Sequence, residues 1–239
     1  MKQIRIGVLG GIGPEATGFF YLKLIERLQN SGLINSNQDF PQIIINSIPA
    51  PELIFDKVEN TDLEMYKKGL QELDKMNLDF IVMVCNTIHL YYVYLQSGIA
   101  TELINLREEV SKKIKNRGIN KVTIVATPST ISSGLYAFEE INYLNPNEKE
   151  IKELSEAVFN FNKGADKNIQ REKAERIAKK YLSQGSQMIL LGCTEFAVML
   201  EDTPIPKLNT IDVLVDCVVE RCRKEMLTRE KVLGMRNKS

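Results

Sequence analysis

The chain has no tryptophan, a single histidine and no excess of either charge, and each lack closes off a class of function. Lys and Arg together number 31, as do Asp and Glu, so no long-range field favours nucleic acid or an anionic membrane surface as partner. With His89 as the sole histidine and no Cys-x-x-Cys pair, the sequence offers no zinc pattern, and no metal is expected. Long apolar runs are missing too. The stretch Ile4–Leu9 falls far short of the ~20 residues a membrane span needs and leads straight into glycines, so neither a signal peptide nor an anchor is expected. Cys85, Cys193, Cys217 and Cys222 then read as free thiols of a cytoplasmic protein rather than as a disulfide framework.

What is present is an ordinary globular mix, 44% hydrophobic and 26% charged over 239 residues, enough for one large domain or two small ones. Apolar runs of strand length alternate with amphipathic stretches, the pattern of parallel sheets covered by helices. The expected strands are Arg5–Leu9, Gln42–Ser47, Phe80–Val84, Val122–Thr127, Met188–Leu191 and a weak Lys207–Asn209. Helices are expected over Pro14–Gln29, Met65–Lys75 behind a capping box at Thr61-Asp62-Leu63-Glu64, Leu106–Asn116, Glu148–Asn162, Gln170–Gln184 and Ile211–Thr228.

A weak repeat divides this series. Ile6-Gly7-Val8-Leu9-Gly10-Gly11 has a counterpart in Val122-Thr123-Ile124-Val125-Ala126-Thr127, each a strand running into a glycine or polar turn. Well downstream of each comes a second apolar strand that ends in a cysteine, Cys85 or Cys193. The chain therefore reads as two related α/β halves, each presenting one thiol. Pro204, Pro206 and the last helix suggest a return to the first half, giving a first domain of 1–104 plus 208–239 and a second of 105–207.

Gly11-Ile12-Gly13-Pro14-Glu15-Ala16 follows a strand and opens a helix, which formally matches the dinucleotide fingerprint. The acidic residue that should hold the ribose is absent, since the second strand ends in Asn46, Ser47 and Ile48; the turn suits a small carboxylate equally well. Cys85 and Cys193 stand at strand carboxyl ends, where doubly wound sheets place ligands. A free thiol ionises near ~8.5, and a helix N-terminus or a nearby cation brings it to roughly 3.5–7.5, within range of a usable base. A lone cysteine there would more simply be packing; two at matching places reverse that balance. Cys217 and Cys222, five apart on the last helix, read as packing residues. His89, one turn beyond Cys85, and Glu195, two residues after Cys193, each have a structural and a functional reading.

At these residues the sequence resembles the aspartate/glutamate racemase family over nearly its full length. Leu9-Gly10-Gly11-Ile12-Gly13-Pro14-Glu15-Ala16-Thr17 is similar to the family's opening motif, with Ile12 in place of a usual methionine, and Val84-Cys85-Asn86-Thr87-Ile88-His89 and Gly192-Cys193-Thr194-Glu195 are similar to its two cysteine motifs. Glu195 marks the aspartate-racemase branch, where the cell-wall glutamate racemases carry histidine. The resemblance implies a cofactor-independent racemase of two pseudo-symmetric, doubly wound domains with the active site in the cleft between them, commonly a homodimer. It implies Cys85 and Cys193 as catalytic residues. Ile12, Asn86, Thr87, Thr127, Thr130, Lys163 and Thr194 would bind substrate, with Lys163 meeting a distal carboxylate. Where aspartate racemases place an arginine, this chain has Leu53, so strict selection of aspartate is not expected.

The expected reaction is a two-thiol 1,1-proton transfer on an acidic amino acid, aspartate or glutamate, in which one sulfur abstracts and the other delivers. Pyridoxal phosphate has no part in it, and no Schiff-base lysine is assignable. A related cysteine-dependent isomerase or racemase of another substrate, or a non-catalytic small-molecule binder on the same scaffold, remains the alternative.

Overall fold

The computed structural model describes residues 3–51 and 60–236, with side chains given for 3–51 and 63–228. The architecture is α/β, and the seven strands among the described residues make two separate sheets in which every neighbouring pair is parallel. The first sheet has the order β2-β1-β3, from β1 (Arg5–Gly10), β2 (Gln42–Ser47) and β3 (Phe80–Met83). The second is β5-β4-β6-β7, from β4 (Lys121–Val125), β5 (Asn142–Tyr143), β6 (Met188–Leu191) and β7 (Lys207–Asn209). In both, the first strand of the half is central, the second lies on one side and the third on the other. The repeat seen in sequence is thus a repeat of strand order.

Parallel strands covered on both faces read as unbroken apolar runs; Phe80–Met83 and Met188–Leu191 are buried at every residue. The strand period of two then sorts their side chains. Phe80, Val82, Met188 and Leu190 face a core that runs through both halves, while Ile81, Met83, Ile189 and Leu191 face outer layers. The common core is closed by α1 (Pro14–Asn30), α4 (Leu106–Asn116) and α9 (Thr210–Arg236). The outer layers are α2 (Asn60–Asp74) on the first sheet and α6 (Glu148–Asn162) with α7 (Lys167–Ser183) on the second. Short helices α3 (Tyr92–Gln96), α5 (Pro128–Ser132) and α8 (Thr194–Met199) follow strand ends.

Several elements differ from expectation for local reasons. The strand expected through Thr127 ends at Val125, because Thr127 is the N-cap of α5 and Pro128 its first residue. Helix α7 begins three residues early, where Asp166 caps it by accepting from the Asn168 and Ile169 amides at 2.9 and 3.4 Å. Residue 208 lies inside β7, which pairs with β6, and α9 packs on α1 and α4 together, so the C-terminal segment belongs to both sheets. The capping-box side chains Thr61 and Asp62, and Leu53, lie outside the described residues. Among the described residues, no helix is long and apolar enough to cross a membrane.

Candidate active site

The turn after β1 is built by glycine. Gly11 and Gly13 have φ of 87° and 88°, and Thr17 Oγ1 ties the turn by accepting from the Gly11 amide at 3.1 Å and donating to the Gly13 carbonyl at 3.3 Å. A Cβ on Gly13 would lie 2.6 Å from Glu195 Oε1, so a side chain there would push that carboxylate aside as well as strain the positive φ.

Cys85 continues the register Ile81, Met83, Cys85, and Cys193 the register Ile189, Leu191, Cys193; both sulfurs therefore belong to the outer layers of their sheets, at equivalent strand ends. Both are buried and free, and both line one cleft of about 370 Å³ between the halves. The first half also contributes Ile12, Asn86 and Thr87 and the backbone at Gly11, Gly13, Pro49 and Ala50; the second contributes Thr127, Thr194, Glu195, Val158 and Asn162.

The two sulfurs have different neighbours. Burial pushes the Cys85 thiol up to about 12, opposed by the Ile88 and Thr87 amides at the start of the 3₁₀ helix Thr87–Tyr91. Cys193 is the N-cap of α8, and its Sγ donates to Glu195 Oε2 at 2.8 Å. Burial and then the Glu195 charge hold this thiol well above its ordinary value. Burial thus favours the protonated form of both thiols. Glu195 is itself held by Thr194 Oγ1 at 3.2 Å and by Asn162 Nδ2 at 3.3 Å.

A threonine triangle joins the halves: Thr87 Oγ1 lies 3.0 Å from Thr130 Oγ1 and 3.4 Å from Thr127 Oγ1, and Thr127 donates to Thr130 at 3.2 Å. Thr130 is the corner of this triangle away from the cleft, fully buried and outside the cleft lining. Lys163 is not brought to the cleft. Asn162, the last residue of α6, takes the inward position, and the next residue is turned about 100° further round the helix. The Lys163 ammonium instead lies 3.8 Å from the centroid of the Phe159 ring on an exposed residue. Its expected distal-carboxylate contact is therefore corrected to a surface cation–π contact in this structure. Among the described lining residues Glu195 is the sole ionisable side chain besides the thiols.

His89 is buried beneath the first motif, where burial lowers it to about 4, and it stacks on Tyr92 rather than lining the cleft. Cys217 and Cys222 pack in the common core. Among the described residues no three His, Cys, Asp or Glu converge as metal ligands. Sequence reasoning missed Val158 and Asn162, though their i, i+4 spacing puts them on one helix face; the approach of Gly13 to Glu195 has no sequence signal at all.

A family model described as Asp/Glu/Hydantoin racemase matches residues 9–218. The broad specificity amino-acid racemase RacX of Bacillus subtilis (strain 168) is 26% identical over 204 residues, covering 82% of this chain and 87% of that protein. Among solved structures, the aspartate racemase of Picrophilus torridus aligns with a TM-score of 0.74 at 23% identity, covering 91% of this chain and 94% of that one. A glutamate racemase from Francisella tularensis, in complex with D-glutamate, aligns at 0.64 and 18% identity over 95% and 84% of the two chains. The structural likeness at these identities fixes the fold and leaves the substrate to the site itself.

Proposed function

We propose that this chain, which belongs to the Asp/Glu/hydantoin racemase family, racemises a free amino acid by passing its α-proton between Cys85 and Cys193 without pyridoxal phosphate. The observation that carries this reading is the pair of free sulfurs, one from each half at equivalent strand ends, lining one small cleft.

An α-proton is weakly acidic, so the reaction needs a base against it and fixed donors for the charge that develops on the carboxylate. Asn86 supplies such a donor from its amide, and the Thr87, Thr127 and Thr194 hydroxyls supply others by turning from their present partners to the substrate. The base is made when substrate enters: its α-ammonium brings the positive charge that two buried thiols and a carboxylate lack, lowers the affinity of one sulfur for its proton, and lets that proton leave to solvent. One sulfur, as thiolate, takes the α-proton as the C–H bond breaks. The opposite thiol gives its proton to the other face of the carbon and is left as thiolate, and the centre is inverted.

Among the described lining residues, Val158, Asn162, Pro49 and Ala50 are the surfaces left for the substrate side chain, and they are neutral and offer no fork for a distal carboxylate. With Lys163 on the surface, the restriction to aspartate or glutamate loses its support. We read the cleft as accepting neutral amino acids beside acidic ones, and the broad specificity of the Bacillus subtilis relative supports this.

Single enantiomers of a neutral and an acidic amino acid, incubated in deuterated water and followed by NMR and chiral chromatography, test the reading. Deuterium at the α-carbon with progress towards a racemic mixture is expected for both. Ligand-induced thermal shifts without label would mean a binder, and label on acidic substrates alone would restore the narrower specificity.

A further inference from the structure

The direction of each hydrogen bond around Asn86 follows from one fixed acceptor. The Leu191 carbonyl, at the end of β6, can only accept, so Thr210 Oγ1 donates to it at 2.9 Å. Thr210 then has lone pairs to offer and receives Asn86 Nδ2 at 3.1 Å. That turns Oδ1 the other way, where the Tyr136 hydroxyl donates to it. All three side chains are at most 1% exposed, so bulk solvent does not compete for these groups. With one N–H given to Thr210 and the carbonyl given to Tyr136, Asn86 turns its second N–H to the cleft it lines.

Tyr136 is in turn held from behind. Its carbonyl accepts from the Tyr143 hydroxyl on the edge strand β5, and the preceding Leu135 carbonyl accepts from Arg107 Nε at 2.7 Å. Its ring packs beside Gly192, the residue before Cys193.

We propose that Tyr136 is a positioning residue for this site: by donating to Asn86 Oδ1 it locks the amide with an N–H, not an oxygen, towards the α-carboxylate of the substrate. The inference rests on the racemase reading above. Without the phenol hydroxyl Oδ1 loses its donor and the amide is held from the Thr210 side alone, so the N–H towards the substrate is less firmly fixed.

The test is a double-mutant cycle in the racemisation assay, using Tyr136→Phe, Asn86→Ala and the pair, with thermal unfolding recorded for each. Tyr136→Phe is expected to lower kcat/KM about tenfold, mainly through a higher KM, as loss of one hydrogen bond implies. In the Asn86→Ala background the same change is expected to have no further effect, because Tyr136 acts through that amide. A merely structural role predicts penalties that multiply, and that result, or a Tyr136→Phe enzyme equal to wild type, overturns the proposal. If Tyr136→Phe does not fold, Thr210→Val and Thr210→Ser make the same test from the other flank: Val should reproduce the KM defect and Ser should not, and any other pattern refutes the relay. An inactive wild-type protein removes the racemase reading itself, whereas an active one with an unaffected Tyr136→Phe removes only this inference.

Discussion

The two halves share strand order and the register that delivers each sulfur, yet they treat the proton on that sulfur differently. Two residues after Cys85 stands Thr87, whose hydroxyl is spent on Thr130 and Thr127; two residues after Cys193 stands Glu195, whose carboxylate accepts from the sulfur itself. Burial and the Glu195 charge raise both thiols, but Glu195 weighs more on Cys193, to whose sulfur it is hydrogen-bonded, while at Cys85 the Ile88 and Thr87 amides offset part of the rise. Geometry is thus repeated and proton affinity is not. Because free enantiomers have equal energy, kcat/KM must be the same in both directions; the asymmetry can appear only in kcat and KM separately and in the timing of solvent exchange.

The strongest way to break this comparison is to remove one sulfur. Cys85→Ser and Cys193→Ser are each expected to lose racemisation by a factor on the order of 10²–10⁴, the worth of general acid–base catalysis. Each should still exchange the α-proton of one enantiomer, a different one in each variant, as read by NMR in deuterated water. Exchange of the same enantiomer by both would mean the sulfurs do not address opposite faces.

Glu195→Gln sharpens the comparison by making the second half neutral like the first. Loss of a hydrogen bond to a charged group, roughly 1.5–3 kcal/mol, should lower kcat/KM about 10–100-fold. The Glu195 charge raises both thiols, so its removal should also shift the alkaline rise of kcat/KM to lower pH. An unmoved profile would separate Glu195 from thiol ionisation.

His89 differs from its counterpart four residues after Cys193, Ala197, and the contrast is one of stability. Burial lowers His89 from 6.5 to about 4, so the unfolded chain binds the proton more tightly. Stability present above 6.5 should fall as pH drops from 6.5 towards 4, by about 3 kcal/mol for a shift of this size. His89→Gln should flatten that part of the denaturation curve, and an unchanged acid slope would place the loss elsewhere. The smallest effect is expected for Lys163→Met, less than about twofold in kcat/KM on acidic substrates, since surface substitutions away from such features are nearly neutral. A tenfold loss would bring Lys163 back into recognition.

Much of this was legible in the sequence because it is local. Buried parallel strands announce themselves as apolar runs, and Gln42–Ser47, Met188–Leu191 and Lys207–Asn209 have the bounds their residues suggest. The two-residue strand β5 has no pattern long enough to read, and the short helix α8 differs little from a turn until Cys193 is seen to cap it. Within the site, residues adjacent to the cysteines were found from their motifs. Tyr136 and Thr210 were not, because their meaning lies in hydrogen bonds to Asn86 across 50 and 124 residues of chain. Lys163 failed by one helical position, a distance that alignment of motifs does not see.

Helix α9 sets the order in which the chain can be completed during synthesis. It packs on α1 and α4, adds Leu214, Val218 and Cys222 to the common core, and carries Asp212 and Asp216, which pair with Lys23, Arg27 and Lys113. A ribosome delivers this helix after every strand has been made. Until then Phe20, Leu24 and Leu28 on α1 and Val110 and Ile114 on α4 lack their last covering layer, although the sheets they flank are already whole. The nascent protein therefore carries an apolar seam for as long as α9 remains in the exit tunnel, a surface suited to chaperones or to misassociation. A chain cut just after β7 would keep both cysteines and every strand, and would keep that seam open permanently.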